Sequence, residues 1–241
     1  MKYYLTGANG FIGKALQERL KGEDVVCINR NHYPFEFDDG STVIHLAAYG
    51  NHSYQQDARL TIHTNINMLQ VMLDAFSVSN AAKFINISTS SVTLPVQTMY
   101  SASKMFGECL VNSYNDDSMV NVRPYSVYGP GEGLHRFIPQ VIKHLNSGDC
   151  MDLDPYAEHD WIHVDDFITA MLLGHTEIGT GQQWTNMQVV RMLEQITGKS
   201  LIYKVVKNIR PYDTDKWVCC KSVEHRTLFT GLKQTYESFT R

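Results

Sequence analysis

Residues 6–13, Thr6-Gly7-Ala8-Asn9-Gly10-Phe11-Ile12-Gly13, decide how this chain is read. Upstream, Met1 to Leu5 is a short apolar strand. Downstream, Ile12 to Leu20 has helical spacing. Strand, tight glycine turn and helix follow within the length of a βαβ unit, which is the context a dinucleotide-binding glycine motif requires. Gly7 permits the turn, Gly10 lets backbone approach a pyrophosphate, and Gly13 lets the helix close on its strand. The anion then rests on free helix N–H groups at the positive end of the dipole. Asn9, Phe11 and Ile12 complete the expected cofactor turn. The alternative is a plain strand–helix connection that binds nothing; it leaves Thr6, Phe11 and Ile12 around a shared cleft with no use.

With 241 residues, 43% of them hydrophobic, the chain can bury a substantial core as one domain, or as a large domain with a small partner. A net charge of −4 without any basic block argues against a general nucleic-acid or membrane-surface role. Cys27, Cys109, Cys150, Cys219 and Cys220 are odd in number and lack metal-ligand spacing, so reduced cysteines and no metal are expected. There is neither an 18-residue apolar run nor a signal-peptide layout, and the expectation is a cytoplasmic protein with no membrane partner.

Asp24 to Ile28 is the second strand. An NAD site usually places a carboxylate after it to hold the ribose 2′-hydroxyl. Here Asn29-Arg30-Asn31 follows, with Arg30 available to a 2′-phosphate, so NADP is expected ahead of NAD; an ordinary solvated arginine is the other reading. Tyr33 to Gly40 is too short for a full helix. Thr42 to Ala48 is a buried parallel strand whose end, Leu46-Ala47-Ala48, is narrow enough to lie beside a cofactor. His45, within that apolar run, reads as a satisfied core histidine. Gln56 to about Ser79 reads as one long helix, with Ile62, Ile66, Leu69 and Leu73 on one face and a polar Asn65 that holds a neighbouring backbone group. Lys83 to Ser88 is a strand that delivers Thr89, Ser90 and Ser91 to the C-terminal sheet edge, where open α/β sheets place their sites.

The chemistry is expected between Thr89 and Lys104. Tyr100 and Lys104 are four apart at the start of a helix and so share a face. A free phenol titrates near ~10. A close ammonium, and a positively charged nicotinamide ring, favour the phenolate, which then exchanges a proton with a carbinol while hydride moves at carbon. A strand-end hydroxyl, Thr89 first and Ser90 second, polarises the same oxygen. Further on, Phe137 to Leu145, Phe167 to Gly174 (continuing from residues 159–166) and Val189 to Ile196 read as helices, and Tyr203 to Val206 as an edge strand. Trp161, Trp184 and Trp217 read as packing residues.

Several further segments carry a resemblance: TGANGFIG at 6–13, VIHLAA at 43–48, YSASK at 100–104, VRPYSVYGPG at 122–131, HDWIHVDDF at 159–167, RPYD at 210–213 and GLKQTYESF at 231–239. In this order the chain resembles the extended short-chain dehydrogenase/reductase family, in its NAD(P)-dependent epimerase/dehydratase branch acting on nucleotide sugars. The resemblance implies an α/β fold, a Rossmann-type doubly wound parallel sheet with a small C-terminal substrate-binding lobe. It places the NAD(P)-binding domain at 1–130 plus 159–172 and the lobe at 131–158 plus 173–241. It implies Tyr100 as acid/base, Lys104 as ribose ligand, and Thr89 as the hydroxyl that polarises the substrate. Gly7, Gly10 and Gly13 would carry the pyrophosphate, with Ala47 and Ala48 beside the cofactor. Ser90, Ser91, Ser126 and Arg210 fall on the substrate side, with Arg210 a fork of donors suited to a diphosphate. Asp160, His163 and Asp165 would order the boundary between cofactor and sugar regions.

The chain departs from the family pattern where it matters for the reaction. Dehydratases carry Asp-Glu directly after the hydroxyl residue, whereas Ser90-Ser91 stands here, which argues against elimination of water. Ser126 replaces the family's Asn, and His159 its Arg. The expected activity is an NADP-dependent 4-ketoreductase on a nucleotide-activated sugar. An NAD-dependent 4-epimerase is the first alternative, followed by reduction of another carbonyl compound and by a catalytically silent NADP-binding sensor. A homodimer through the helices at 56–79 and 100–115 is expected by the same resemblance.

Overall fold

The computed structural model describes residues 1–29, 35–51, 54–207 and 217–240. The chain divides into two compact units, Met1–Pro124 and Tyr125–Arg241.

The first unit runs β1 (Lys2–Thr6), α1 (Phe11–Arg19), β2 (Asp24–Ile28), β3 (Thr42–His45), α2 (Ala58–Ile62), a π-helical turn (His63–Asn67), α3 (Met68–Ser77), β4 (Lys83–Ile87), a 3₁₀ turn (Ser90–Thr93), α4 (Met99–Ser113) and β5 (Met119–Pro124). Its five strands pair in the order β5-β4-β3-β1-β2, and every pair is parallel. The chain winds outward from β1 to β2, returns to β3 on the other side of β1, and continues outward through β4 and β5. This is the doubly wound α/β fold, and its switch point lies between β1 and β3, where such sheets open a crevice. β3 and β4 are buried along almost their whole length, as central parallel strands are. Val43, Phe84 and Met119 pack from the strands against Leu69, Met72, Leu73 and Phe76 of α3 and Val111 of α4.

Three expectations are corrected here. The helix expected from Gln56 is interrupted by the π turn, which inserts one residue into the apolar periodicity and carries Asn65 inward. Helix α4 begins before Tyr100, because Thr98 and Ser101 cap each other's backbone N–H groups reciprocally. His45 is buried but only half satisfied among the described residues: Nδ1 meets Thr6 Oγ1 at 3.0 Å, while Nε2 finds no partner among them. Burial, followed by the charge of Lys104, pushes its pKa down to about 3, so the ring is neutral.

The second unit contains β6 (Ser126–Tyr128), α5 (Phe137–Ser147), β7 (Met151–Leu153), β8 (Glu158–His159), β9 (Trp161–His163), α6 (Val164–Leu172), β10 (Glu177–Ile178), β11 (Trp184–Thr185), α7 (Asn186–Thr197), β12 (Tyr203–Val205) and α8 (Leu228–Phe239). Of residues 159–166, from which the sequence reading continues into the helix at Phe167, His159 ends β8 and Trp161–His163 form β9, so α6 begins only at Val164; β9 pairs with β6 and β8 with β11. Tyr128, Ile138, Ile142, Trp161, Val189 and Leu232 are among the residues of one apolar core, with Trp184 packed against it, and Trp217 meets the His159 ring edge-on at 6.0 Å, so the tryptophans pack as expected. Helix α7 stops at Gly198, whose φ of 68° is the left-handed cap that glycine takes most readily.

Glu132 sits in this unit as a buried carboxyl. Its Oε1 lies 3.4 Å from Arg136 Nε, and Oε2 has no partner among the described residues. Burial pushes its pKa up to about 7 in spite of Arg136. The folded state therefore binds a proton that the unfolded chain has released, and stability falls as pH rises from 4.5 to about 7. Glu132→Gln should raise the Tm at pH ~8, and the gain should vanish below pH ~4.5, as scanning calorimetry at the two pH values would show.

Candidate active site

The C-terminal edge of the first unit's sheet gathers most of the predicted residues. Gly7 takes φ +65°, and a Cβ there would lie 2.8 Å from both Ala47 N and the carbonyl carbon of Leu46. The contact is tied by Ala47 N–H donating to Thr6 Oγ1 at 3.1 Å. A Cβ on Gly13 would run into the Gly7 carbonyl and lie 2.7 Å from Ala8 Cα, so no larger residue lets α1 approach β1 this closely. Gly10 N–H donates to Gly7 O at 3.0 Å, and its missing side chain keeps the mouth of the turn open. No side chain caps α1, which leaves its first N–H groups to whatever occupies that mouth. Asn9 and Gly10 are exposed, and Phe11 and Ile12 half-buried, around the same opening. The residues thus fit a dinucleotide's pyrophosphate: three glycines shape a cradle, and an uncapped helix end faces it.

Thr89 follows β4 after one residue, Ser88, and is half-buried. Its Oγ1 accepts from Ser91 N at 3.2 Å and lies 3.0 Å from Ser91 Oγ. With Ser91 as donor in both, the Thr89 hydroxyl keeps its own proton to donate outward. Ser90 is buried at 2% exposure, and Ser91 is half-buried. Helix α4 carries Tyr100, half-buried, and Lys104, buried at 2% exposure, one turn apart. Burial pulls the Lys104 pKa down to about 8, and Glu108 opposes that fall.

Asn65 holds this arrangement together, and does what the sequence pattern suggested. Its Oδ1 accepts from Tyr49 N at 2.8 Å, and its Nδ2 donates to Tyr49 O and to Ser103 Oγ, each at 2.8 Å. Ser103 in turn donates to Tyr100 O at 2.7 Å. Beyond Tyr49, a Cβ on Gly50 would sit 3.5 Å from Tyr100 Cβ. One buried amide therefore fixes both the loop after β3 and the helix that bears Tyr100 and Lys104.

Ser126 belongs to the second unit, half-buried on β6, with its N–H donating to Asp160 O at 2.9 Å. Asp160 is 1% exposed, and its carboxylate accepts four donors: Thr180 N at 2.8 Å, Thr180 Oγ1 at 2.6 Å, and Gly181 N and Cys219 N at 3.0 Å each. His163 caps α6 by accepting from Asp165 N at 3.3 Å, and burial pushes its pKa down to about 4. Arg30 and Arg210 lie outside the described residues. Among the described residues no cluster of metal-ligating side chains is found, and no helix is long and apolar enough to cross a membrane. A pairing that sequence reasoning missed is Glu108 with Arg123; its only sequence signal is the four-residue step from Lys104.

The family model for the NAD dependent epimerase/dehydratase family matches residues 3–189. The chain belongs to this family. Among the family's members it is 26% identical to a dTDP-glucose 4,6-dehydratase of Streptomyces griseus, over 80% of this chain and 78% of that protein. It is 27% identical to an uncharacterized UDP-glucose epimerase of Bacillus subtilis, over 97% of this chain and 95% of the other. Among solved structures, UDP-glucuronic acid 4-epimerase from Bacillus cereus, in complex with UDP-glucuronic acid and NAD, superposes with a TM-score of 0.83 at 25% identity, covering 100% of this chain and 99% of that one. The Rossmann-type fold and the extended short-chain dehydrogenase/reductase resemblance read from the motifs are borne out, and the chain is an enzyme of this class.

Asn65→Ala removes three hydrogen bonds from buried or half-buried partners and should cost about 2–4 kcal/mol in urea unfolding at 25 °C. A loss under ~0.5 kcal/mol would remove Asn65 from the organisation of the site.

Proposed function

We propose that the protein is an NAD-dependent nucleotide-sugar 4-epimerase. The observation that carries this reading is the union, on one sheet edge, of the glycine cradle with Thr89 and the Tyr100–Lys104 pair, in a chain that aligns end to end with an NAD-bound UDP-sugar 4-epimerase. Gly7, Asn9, Gly10, Phe11, Ile12 and Gly13 would hold the pyrophosphate, Leu46, Ala47 and Ala48 would lie beside the cofactor, and Lys104 would hold a ribose hydroxyl. NAD bound there would supply the hydride acceptor and donor for C4 of the sugar. Tyr100 takes the proton of the C4 hydroxyl as hydride leaves and returns it from the same oxygen after the sugar has turned over. Thr89 donates to that oxygen throughout. The ammonium of Lys104 favours the phenolate that Tyr100 must form. Ser90, Ser91, Ser126 and Arg210 are assigned to the nucleotide sugar, and residues 131–158 plus 173–241 to the lobe that receives it.

Dehydration is the weaker reading, because Ser90-Ser91 offers no carboxylate to remove or deliver a proton at a second carbon. Net 4-keto reduction with NADPH is the second reading, favoured by the absence of a carboxylate in Asn29-Arg30-Asn31 at the 2′-hydroxyl position. We assign a cytoplasmic homodimer as the working form, built on the exposed apolar residues Leu60, Ile62, Met105 and Phe106 of α2 and α4.

The test is twofold. Denatured protein should release NAD, and incubation with UDP-glucuronic acid or UDP-glucose deuterated at C4 should give the C4 epimer with the deuterium retained and no cofactor added. Stoichiometric NADPH consumption with a 4-keto nucleotide sugar, and no release of NAD, would replace the epimerase with the reductase. Tyr100→Phe should lower kcat by about 10²–10⁴-fold while NAD is retained; undiminished turnover would remove Tyr100 as the acid/base.

A further inference from the structure

Behind the Tyr100–Lys104 pair stands a carboxylate that the proposed chemistry does not use. Tyr100, Lys104 and Glu108 follow one another at four-residue steps on the inward face of α4. Glu108 is 5% exposed and Lys104 2%. Arg123, from β5, grips both oxygens of Glu108: Nε donates to Oε1 at 2.9 Å and Nη2 to Oε2 at 2.6 Å. The backbone is fixed as well, since Asn121 Nδ2 donates to Glu108 O at 3.3 Å.

A half-buried two-point pair of this kind contributes little to stability by itself, because desolvation of the carboxylate offsets the attraction. It does fix where the negative charge stands. Among the described residues, the charges and rings that interact electrostatically with Lys104 are Glu108, from its own helix, and His45, from β3, which burial keeps neutral; Tyr100 stands one turn before it on α4. Among the described residues Glu108 is the anion whose charge acts on the lysine. Arg123 is a third exposed along its side chain, so water screens it, whereas the carboxylate it orients is enclosed with the ammonium.

We propose that Glu108, oriented by Arg123, is a positioning residue that keeps Lys104 an ammonium at neutral pH and thereby fixes the pH range over which the Tyr100–Lys104 pair works. This rests on the reading of Tyr100 and Lys104 as the proton-handling pair. Without the carboxylate, Lys104 is a buried cation with no compensating charge, and it sheds its proton at lower pH. Tyr100 then loses the charge that favours its phenolate, and the alkaline limb of the rate profile moves toward neutrality.

The test is an NMR titration of the Lys104 side chain, followed at 13Cε and assigned by its disappearance in Lys104→Arg, in the purified protein with its bound nucleotide. Glu108→Gln should lower the Lys104 midpoint by about one pH unit or more and move the alkaline limb of kcat in the same direction. Glu108→Asp, with the charge drawn back by one methylene, should give a smaller fall, and it serves alone if the Gln variant does not fold. A midpoint unchanged in both variants overturns the proposal, even if their Tm falls, since a structural pair lowers Tm without touching the titration. Tyr100→Phe separates the two readings. If its turnover persists, the proton-handling assignment fails, while the Lys104 midpoint still reports on Glu108.

Discussion

The first unit depends on a backbone contact with no room for a side chain. At the switch point of the sheet the turn after β1 lies against the peptide that follows β3, and the space between Gly7 and the Leu46–Ala47 bond holds a hydrogen atom and nothing larger. Thr6 completes the contact by accepting from Ala47 while it meets His45 across the strands. Because β1 and β3 are neighbours in the sheet but over thirty residues apart in sequence, this contact fixes both sides of the crevice at once. The glycine turn, the uncapped start of α1 and the small residues after β3 all follow from it.

The second constraint is the burial of polar groups beside that crevice. Lys104 is enclosed with Glu108 on one side and a neutral His45 on another, and Asn65 uses three of its hydrogen bonds to hold Tyr49 and Ser103 in place. Each such group is costly alone and acceptable only as part of the set. The π turn that carries Asn65 belongs to the same solution: an extra residue in the helix turns this amide inward, toward Tyr49 and Ser103.

Much of this was legible in the sequence where the signal is local. The glycine motif, the strand from Asp24 to Ile28, the stop at Gly198 and the inward role of Asn65 all rest on neighbours in the chain or on periodicity. What escaped notice depends on pairing across the fold. Residues 158–163 become strands because β6 and β11 lie alongside, which their own spacing does not announce. Glu108 and Arg123 are fifteen residues apart and meet only because α4 crosses back over β5. The orphaned Nε2 of His45 likewise follows from what the neighbouring strand offers, not from the apolar run in which the residue sits.

Asp160 has a consequence for how the second unit comes apart. Its carboxylate is almost wholly enclosed, and its four donors come from two stretches distant in sequence, Thr180–Gly181 and Cys219. Detaching either stretch leaves the charge short of partners in a place water reaches poorly, so the second stretch has little reason to stay. The two loops are therefore expected to open as one cooperative step in native-state hydrogen exchange, with their amides sharing a single opening free energy.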